Sequence, residues 1–332
     1  MADPKPLVSI GLPVYNGERY LEAALASLLS QTLADLEIVV SDNASTDATA
    51  DIVRACAQHD RRVKYSRNPS NIGAICNFNR TVELATGKYF KWHACDDLCA
   101  PTYLEKCVAA LEEDSSAVLC QSRTLLIDDM GEALAFDADL QLFVDRKGIL
   151  ANPPDPHFAD SDDPVIRFCE ALPYTRTCQH VMAVMRTDVM RNVGLMAMYY
   201  GSDRAFLIRM AMHGRFREVP EPLFFNRIHE GNSRSIARKR GRYVWGGAPA
   251  WISSFHLLNG YLDIARSVLR ADMSPGAKMR CLGFAGRRVV GARIGRPPGA
   301  YTDRGEAGRI PAKSKLMGVG QDAVAVERGK KV

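Results

Sequence analysis

Short apolar, β-prone runs alternate with stretches of helical periodicity over the first 120 residues. The runs "LVSIGLPVY", "LEIVVS", "RVKYS" and "KYFKW" predict four strands. Between the first two, "GERYLEAALASLLSQT" places Leu21, Leu25 and Leu28 on one face of a helix. "STDATADIVRACAQH" predicts the next helix, with Ser45 or Thr46 as its N-cap. Strands that alternate with helices of this length predict an α/β fold with a parallel sheet covered on both faces.

The pattern changes further along the chain. "NIGAICNFNRTVELATG" predicts a helix that ends at Gly87, and "QHVMAVMRTDVMRNVG" predicts a strand followed by a short helix. Residues 243–269 predict another helix, anchored by Trp245, Trp251 and Phe255 among others. The glycine-interrupted "KMRCLGFAGRRVVGARIG" is a basic segment with weaker helical character. After about residue 297 large apolar side chains become rare, which predicts disorder.

Charge is distributed unevenly. The 332 residues have a formal net charge of +5, but residues 1–233 carry 23 Lys and Arg against 32 Asp and Glu, and residues 234–332 carry 20 against 6. An acidic body is therefore joined to a basic C-terminal region. This region is interpreted either as a segment that docks on the acidic body or as a contact for an anionic membrane surface. It contains no recognisable nucleic-acid-binding module, so we expect no nucleic-acid partner.

Several classes of protein are disfavoured. No run reaches about 18 uninterrupted apolar residues, so no transmembrane helix is expected, and the N-terminus lacks the pattern of a signal peptide. The nine cysteines are scattered, with only Cys95 and Cys99 close together, which predicts reduced thiols in a cytoplasmic protein. The sequence contains neither a GxGxxG after the first strand nor a GxxxxGK[ST], so it supports neither a dinucleotide-binding fold nor a P-loop enzyme.

Polar residues follow all four predicted strands, in "PVYNG", "SDNASTD", "NPSNIG" and "ACDD". Ligands of such sheets bind outside the carboxyl ends of the strands, so the four segments are expected at one rim. A single Asp-Asn turn is usually only a turn, but four polar ends that include carboxylates indicate a ligand site. Asp96 and Asp97 are adjacent anions. Two alternatives stay open for them: an ordinary turn exposed to solvent, or half of a metal site.

These motifs resemble the family 2 glycosyltransferases over roughly residues 6–235. The resemblance is carried by "VSIGLPVYNGERYLEAALASLLSQT", "EIVVSDNASTDAT", "NIGAICNFNRTVELATGKYF" and the "DD" pair, in this order and at these spacings. It implies a GT-A fold, a Rossmann-like mixed sheet with helices on both faces, to which this chain adds a basic, mainly helical C-terminal extension. The implied catalytic domain is residues 1–235, with a nucleotide-sugar half at about 1–120 and an acceptor half at about 121–235. The extension would span 236–296, and the disordered tail 297–332.

The resemblance assigns the donor contacts to the four strand ends. Asp42 would accept hydrogen bonds from the uracil or ribose of the nucleotide, because an ionised carboxylate is an acceptor. Asp96 would bind the ribose, and Asp97 would bind a divalent cation, Mn²⁺ or Mg²⁺, that bridges the two phosphates. Many relatives have a further Asp at the position of Ala94, so this chain has one acidic ligand fewer. The other implied donor-binding residues are Pro13, Tyr15, Asn16, Asn71, Gly73 and Asn77.

In the second half the resemblance assigns the catalytic base to Asp203, in "YYGSDRAFLIRM". Many relatives have Glu at the position of Ser202, and Asp is also a common helix cap. His229, in "RIHEGNS", would help to hold the metal or the leaving group, or would serve as a partner for the acidic body. His180 is a lone histidine, for which a structural role is more common than a role as base.

The resemblance therefore predicts an inverting, metal-dependent glycosyltransferase. It would move a hexosyl group from a nucleotide-diphosphate sugar to a hydroxyl group, and a UDP-sugar is the first candidate for the donor. The acceptor would be a saccharide, a lipid-linked saccharide or another hydroxyl compound in cell-envelope or polysaccharide biosynthesis. The protein would be cytoplasmic, or peripheral at the inner face of the cytoplasmic membrane. Three alternatives stay open: a sugar nucleotidyltransferase, a nucleotide-sugar-binding protein without turnover, and a scaffold that acts through its basic tail.

Overall fold

The computed structural model describes residues 5–175, 177–231 and 256–293. Within these ranges eight strands form the main sheet: β1 (Val8–Val14), β2 (Leu36–Asp42), β3 (Val63–Arg67), β4 (Tyr89–Trp92), β5 (Leu98–Cys99), β6 (Ala117–Ile127), β10 (Val184–Arg186) and β11 (Arg215–Arg227). Their order across the sheet is β3-β2-β1-β4-β10-β6-β11-β5. A separate antiparallel sheet consists of β7 (Ala135–Asp137), β8 (Leu142–Val144) and β9 (Leu150–Ala151).

Helices pack against both faces of the main sheet. Those in the described ranges are α1 (Leu21–Leu29), α2 (Thr49–His59), α3 (Ala74–Leu84), α4 (Tyr103–Glu113), α5 (Pro164–Tyr174), α6 (Thr187–Asn192), α7 (Ser202–His213), α8 (His256–Arg270) and α9 (Pro275–Arg293), and Gln179–Met182 forms a 3-10 turn. Side chains alternate between the two faces of a strand. On β4, Phe90 and Trp92 therefore join one buried apolar cluster, and Tyr89 joins the other.

The main sheet is mixed, as the resemblance implied. β1 pairs in parallel with β2 and β4, and β2 pairs in parallel with β3, which confirms the predicted parallel half. β10 runs antiparallel to both β4 and β6, and β5 runs antiparallel to β11. The apolar pattern of a short strand does not record its direction, which depends on the end of the sheet from which the chain arrives.

Two predicted helix ends are wrong. α2 begins at Thr49 with Ala48 at its N-cap, and no side chain caps it. The hydroxyl of Ser45 instead accepts a hydrogen bond from the backbone N–H of Asn16 (2.9 Å). α3 ends at Leu84, three residues before the predicted Gly87. Gly87 has another role, because a Cβ at this position would lie 2.7 Å from the backbone nitrogen of Ser9.

Helix α8 packs against α7 through a polar clasp as well as apolar contacts. The carboxylate of Asp263 accepts a hydrogen bond from the hydroxyl of Tyr199 (2.8 Å) and forms an ion pair with Arg209 (3.0 Å). The chain divides into two compact units, Met1–Gly286 and Arg287–Val332, so α8 belongs to the same unit as the main sheet. No helix among the described residues is long and apolar enough to cross a membrane.

Part of the predicted organisation lies outside the described residues. The anchors Trp245, Trp251 and Phe255 and the tail after residue 297 belong to this part. The domain limits at residues 235 and 296 therefore stay predictions. All nine cysteines lie in the described ranges, and none of them forms a disulfide there, so the reduced state stays a prediction.

Candidate active site

A cleft of about 1060 Å³ opens at the carboxyl ends of β1 and β4. The lining comes from two parts of the chain. The first comprises the end of β1, the turn after β4 and the start of α3, and the second comprises the 3-10 turn, the start of α7, the end of β11 and part of α8. The predicted site residues that line it are Pro13, Tyr15, Asn71, Gly73, Asn77, Asp96, Asp97 and Asp203. Asn16, Asp42 and His229 are not part of this lining.

Strand register explains why these residues meet. Val14 pairs with Asp42, and Asp42 pairs with Arg67, so β1, β2 and β3 end at one level. β4 ends earlier, where Trp92 pairs with Gly11. The following residues turn across the end of the sheet, and this turn places the two adjacent carboxylates, Asp96 and Asp97, in the cleft.

Amide side chains hold the wall between β3 and α3. Asn43 donates to Asn71 Oδ1 (2.8 Å), and its own Oδ1 accepts from the backbone N–H of Ile72 (2.8 Å). The buried Asn77 donates to the carbonyl of Ser41 (2.8 Å) and accepts from the Ser41 hydroxyl (2.7 Å). Because these bonds occupy the Asn77 amide, Asn77 stabilises this part of the cleft through contacts within the protein.

Gly73 and Tyr15 present different surfaces to the cleft. Gly73 precedes α3 with a φ of 85°, a conformation that side chains disfavour. Its N–H donates to Asn71 Oδ1 (2.9 Å), which fixes the loop at the point where a ligand would approach the backbone. Tyr15 is 49% exposed and offers an aromatic ring beside the buried Pro13.

Asp42 and Asn16 make hydrogen bonds within the protein, and their predicted donor contacts stay predictions. Asp42 is fully buried and accepts hydrogen bonds from the Ser45 N–H (2.8 Å), the Tyr65 hydroxyl (2.7 Å) and the Arg67 guanidinium (2.9 Å). Burial alone would raise the pKa of Asp42, but the hydrogen bonds from Ser45 and Tyr65 and the charge of Arg67 lower it below its usual value. Asn16 accepts from the backbone N–H of Thr46 (2.8 Å). In this structure both side chains therefore stabilise the turn after β2.

Asp97 is held by a strand that lies 130 residues further along the chain. Its Oδ1 accepts hydrogen bonds from the Asn226 amide and from the backbone N–H of Arg227, both at 2.9 Å. Within the described ranges its Oδ2 accepts none, and the residue is 2% exposed. Burial, and after it the negative charge of Asp96, raise the pKa of the Asp97 carboxyl above its usual range.

Arg227 and His229 contact Asp96, and Tyr20 packs against both of them. The Arg227 guanidinium donates to the carbonyl of Asp96 (2.8 Å) and to that of Asp128 (2.9 Å). The Asp96 carboxylate lies 2.9 Å from His229 Nε2, and Nδ1 of this ring accepts from the backbone N–H of Gly231 (3.1 Å). The ring of Tyr20 lies against both Arg227 and His229, at 4.8 Å in each case. His229 thus contacts the ribose-binding candidate, and neither of its nitrogens points to Asp97 in the described contacts.

The acidic pair offers few protein ligands to a cation. Among the described residues, no group of three or more His, Cys, Asp or Glu side chains is placed to hold a metal ion. A hard cation in a phosphate-binding site needs fewer protein ligands, because one or two carboxylates and the substrate phosphates complete its shell. Asp97 fits this smaller requirement, since one oxygen is fixed by Asn226 and Arg227 and the other is left for a ligand.

Asp203 lies in the first turn of α7, after Gly201 in a left-handed conformation with a φ of 90°. Its Oδ1 accepts from the backbone N–H of Arg204 (2.8 Å), and Asp203 lines the same cleft as the acidic pair. His180 is different, because it is buried against Phe158, with ring centroids 4.7 Å apart. Burial, and then the charge of His157, lower the pKa of His180 to about 3. His180 therefore has a structural position.

Sequence reasoning missed Asn226, Lys91, two tyrosines of the acceptor half and one tyrosine of α8. Asn226 precedes Arg227 directly, but nothing in "FFNRIHEG" indicates its contact with Asp97. Lys91 is fully buried in β4, where its ammonium group donates to the carbonyl of Met182 (2.6 Å). Tyr199, Tyr200 and Tyr261 line the cleft. Their roles depend on packing between distant segments, so no local signal could have identified them.

Sequence comparison assigns a family to the part of the chain that contains the ends of β1 and β4 and the start of α3. The family described as "Glycosyl transferase family 2" matches residues 9–161. An uncharacterized glycosyltransferase of Haemophilus influenzae is 27% identical over 240 residues, which cover 70% of this chain and 68% of that protein. The putative teichuronic acid biosynthesis glycosyltransferase TuaG of Bacillus subtilis is 33% identical over 129 residues, 39% of this chain and 51% of TuaG. The chain thus spans only about half of TuaG.

Structural comparison gives the same fold. Staphylococcus aureus TarS 1–349, solved with UDP-GlcNAc, has a TM-score of 0.60 and 19% identity, covering 87% of this chain and 74% of the other. The mannosyltransferase PcManGT of Pyrobaculum calidifontis, solved with GDP-Man and Mn²⁺, has a TM-score of 0.51 and 17% identity, covering 89% and 78%. At these identities the likeness shows the fold alone. Residues 9–161 form a glycosyl transferase family 2 domain, and the fold of the chain is GT-A.

Proposed function

We propose that this protein is an inverting glycosyltransferase that transfers a hexosyl group from a nucleotide-diphosphate sugar to a hydroxyl acceptor. The observation that carries the proposal is that Asp96, Asp97 and Asp203, from distant parts of the chain, line one cleft. A donor diphosphate near the pair and an acceptor near Asp203 would place the anomeric carbon between them. The family membership and the relative TuaG support a place in polysaccharide biosynthesis.

The donor side divides into three tasks. Tyr15 would stack on the base, since its exposed ring offers an aromatic face, and a UDP-sugar is the first candidate. Asp96, oriented by His229, would accept hydrogen bonds from the ribose hydroxyls. Asp97 would hold Mn²⁺ or Mg²⁺, which when bound neutralises charge on the diphosphate. The cation would also stabilise ionised Asp97, whose pKa is raised without it.

Asp203 is proposed as the general base. It would take the proton of the acceptor hydroxyl while the oxygen bonds to the anomeric carbon and the bond to the diphosphate breaks on the opposite face. A positioned base contributes about 10²–10⁴-fold to such a reaction. The acceptor would lie against Tyr199, Tyr200 and Tyr261, and a saccharide or a lipid-linked saccharide would fit this role.

Asp203→Asn tests this assignment, because asparagine has nearly the same shape but cannot take the proton. We expect transfer to fall by about 10²–10⁴-fold while Mn²⁺-dependent UDP binding is retained. Asp188→Asn is the matched control, since Asp188 is exposed in the first turn of α6 and accepts from the next backbone N–H at 2.8 Å, as Asp203 does. Products are analysed with a panel of nucleotide-sugars. Wild-type transfer by Asp203→Asn would refute the base, and formation of diphosphate from a sugar phosphate and an NTP would favour a nucleotidyltransferase.

A further inference from the structure

Helix α8 exposes a row of leucines on the side that faces away from the protein. Leu258, Leu262 and Leu269 are 54%, 43% and 60% exposed. At 3.6 residues per turn these three positions lie within about 40° of one another, in a row of about 16 Å. We call Leu258, Leu262 and Leu269 the leucine face. Single exposed leucines are ordinary on soluble proteins, but an aligned set on one helix marks an interaction surface.

The opposite side of α8 holds the helix in place. Ile264 and Val268 are buried, and Asp263 makes the clasp with Tyr199 and Arg209. The leucine face is thus the outward side of a docked helix, and its exposure follows from the way the helix packs.

Positive charge surrounds the leucine face. Arg266 and Arg270 are exposed on the same helix, about 40–120° around it from the leucines. The ammonium group of Lys278 donates to the carbonyl of Leu269 (2.9 Å), which fixes a third cation at the end of the row. One exposed carboxylate, Asp272, lies in the turn that follows. Residues 234–332 as a whole carry 20 Lys and Arg against 6 Asp and Glu.

We propose that the leucine face binds the surface of an anionic phospholipid bilayer. Leucines bordered by arginine and lysine are the pattern of a helix that lies in a membrane interface, with its apolar side chains among the acyl chains and its cations at the lipid phosphates. The positive charge around the leucine face favours an anionic bilayer over a neutral apolar partner, because a neutral partner offers no anionic groups to Arg266, Arg270 and Lys278.

The same helix also contributes to the cleft. Gly260, Tyr261 and Ile264 of α8 line it, so a bilayer at the leucine face would lie beside the cleft. A consequence, which rests on the proposed function, is that the hydroxyl acceptor would be carried by a membrane lipid. Binding to the bilayer itself requires neither donor nor acceptor, and it can therefore be tested independently of sugar transfer.

The test is co-sedimentation of the full chain with phosphatidylcholine vesicles, with and without phosphatidylglycerol. We expect binding only to the anionic vesicles, and we expect it to weaken as salt is raised. Leu262→Ser is compared with Leu140→Ser, since Leu140 is 53% exposed in the segment between β7 and β8. Arg266→Glu is compared with Arg61→Glu, which changes the net charge equally at an exposed site after α2. We expect each α8 variant to lose on the order of tenfold in vesicle affinity and each control to lose little.

Three results would overturn the proposal. The first is the absence of wild-type binding to anionic vesicles at low salt. The second is equal affinity of Leu262→Ser and Leu140→Ser, because binding would then not use the leucine face. The third is a wild-type dimer that Leu262→Ser converts to a monomer with vesicle binding unchanged, because the face would then be an interface between two copies. Thermal unfolding of each variant checks that it is folded, and Leu258→Ser replaces Leu262→Ser if the latter is not.

Discussion

Replacing Asp42 by asparagine distinguishes a buried structural carboxylate from one that contacts the donor. In the structure its Oδ2 accepts from Tyr65 (2.7 Å) and Arg67 (2.9 Å), and its Oδ1 accepts from Ser45 (2.8 Å). Asparagine can keep the bond from Ser45, but its amide group would face two donors. The Tyr65 hydroxyl can rotate to accept, whereas Arg67 cannot. Hydrogen bonds to a charged group contribute about 1.5–3 kcal/mol, so we expect the free energy of unfolding to fall by about this amount at neutral pH.

The pH dependence of stability is a second, independent test of the structural role of Asp42. The pKa of Asp42 is lowered in the folded protein, so its contribution to stability is present above the unfolded-state pKa of about 3.9 and is lost as pH falls through the lower folded-state value. The difference in unfolding free energy between wild type and Asp42→Asn should therefore be constant near neutrality and should shrink below about pH 4.

Urea unfolding at several pH values measures both effects. Tyr65→Phe, which removes one of the three bonds without changing charge, should cost less than Asp42→Asn. Asp51→Asn is the control, because Asp51 is 84% exposed in its pair with Arg54 and such pairs contribute at most about 1 kcal/mol. Unchanged stability of Asp42→Asn, together with weaker binding of free uridine, would refute the structural role and support direct donor contact.

Two further changes test the site and its surroundings. Asp97→Asn should weaken UDP binding by at least about tenfold in Mn²⁺ and much less in EDTA, since the lost carboxylate would be a cation ligand. Calorimetry measures the UDP affinity in both conditions. Equal losses of affinity in Mn²⁺ and in EDTA would show that Asp97 is not a ligand of the cation. Asp263→Asn leaves Arg209, whose side chain is 9% exposed, without its counter-ion, and we expect a loss of about 3 kcal/mol in the free energy of unfolding. A loss no larger than that of Asp51→Asn would show that the clasp does not hold α8.

Several residues predicted at the strand ends line the cleft, and their donor-binding and metal-binding roles stay predictions. Pro13, Tyr15, Asp96 and Asp97 line the cleft because parallel strands bring their carboxyl ends to one edge. Asp42 was also at a strand end, yet its neighbours Tyr65 and Arg67 on β3 enclose it. A position within a strand does not reveal whether the adjacent strand covers it.

The sequence by itself determined the alternation of strands and helices, the acidic pair after β4 and the helix that begins near Asp203, because each depends on residues within a few positions. Tertiary structure decided the rest. It set the antiparallel direction of β10, it brought Asn226 and Arg227 to Asp97, and it placed α8 against the cleft. These features join segments up to 130 residues apart, and local periodicity carries no information about such pairs because they form only when distant surfaces become buried together.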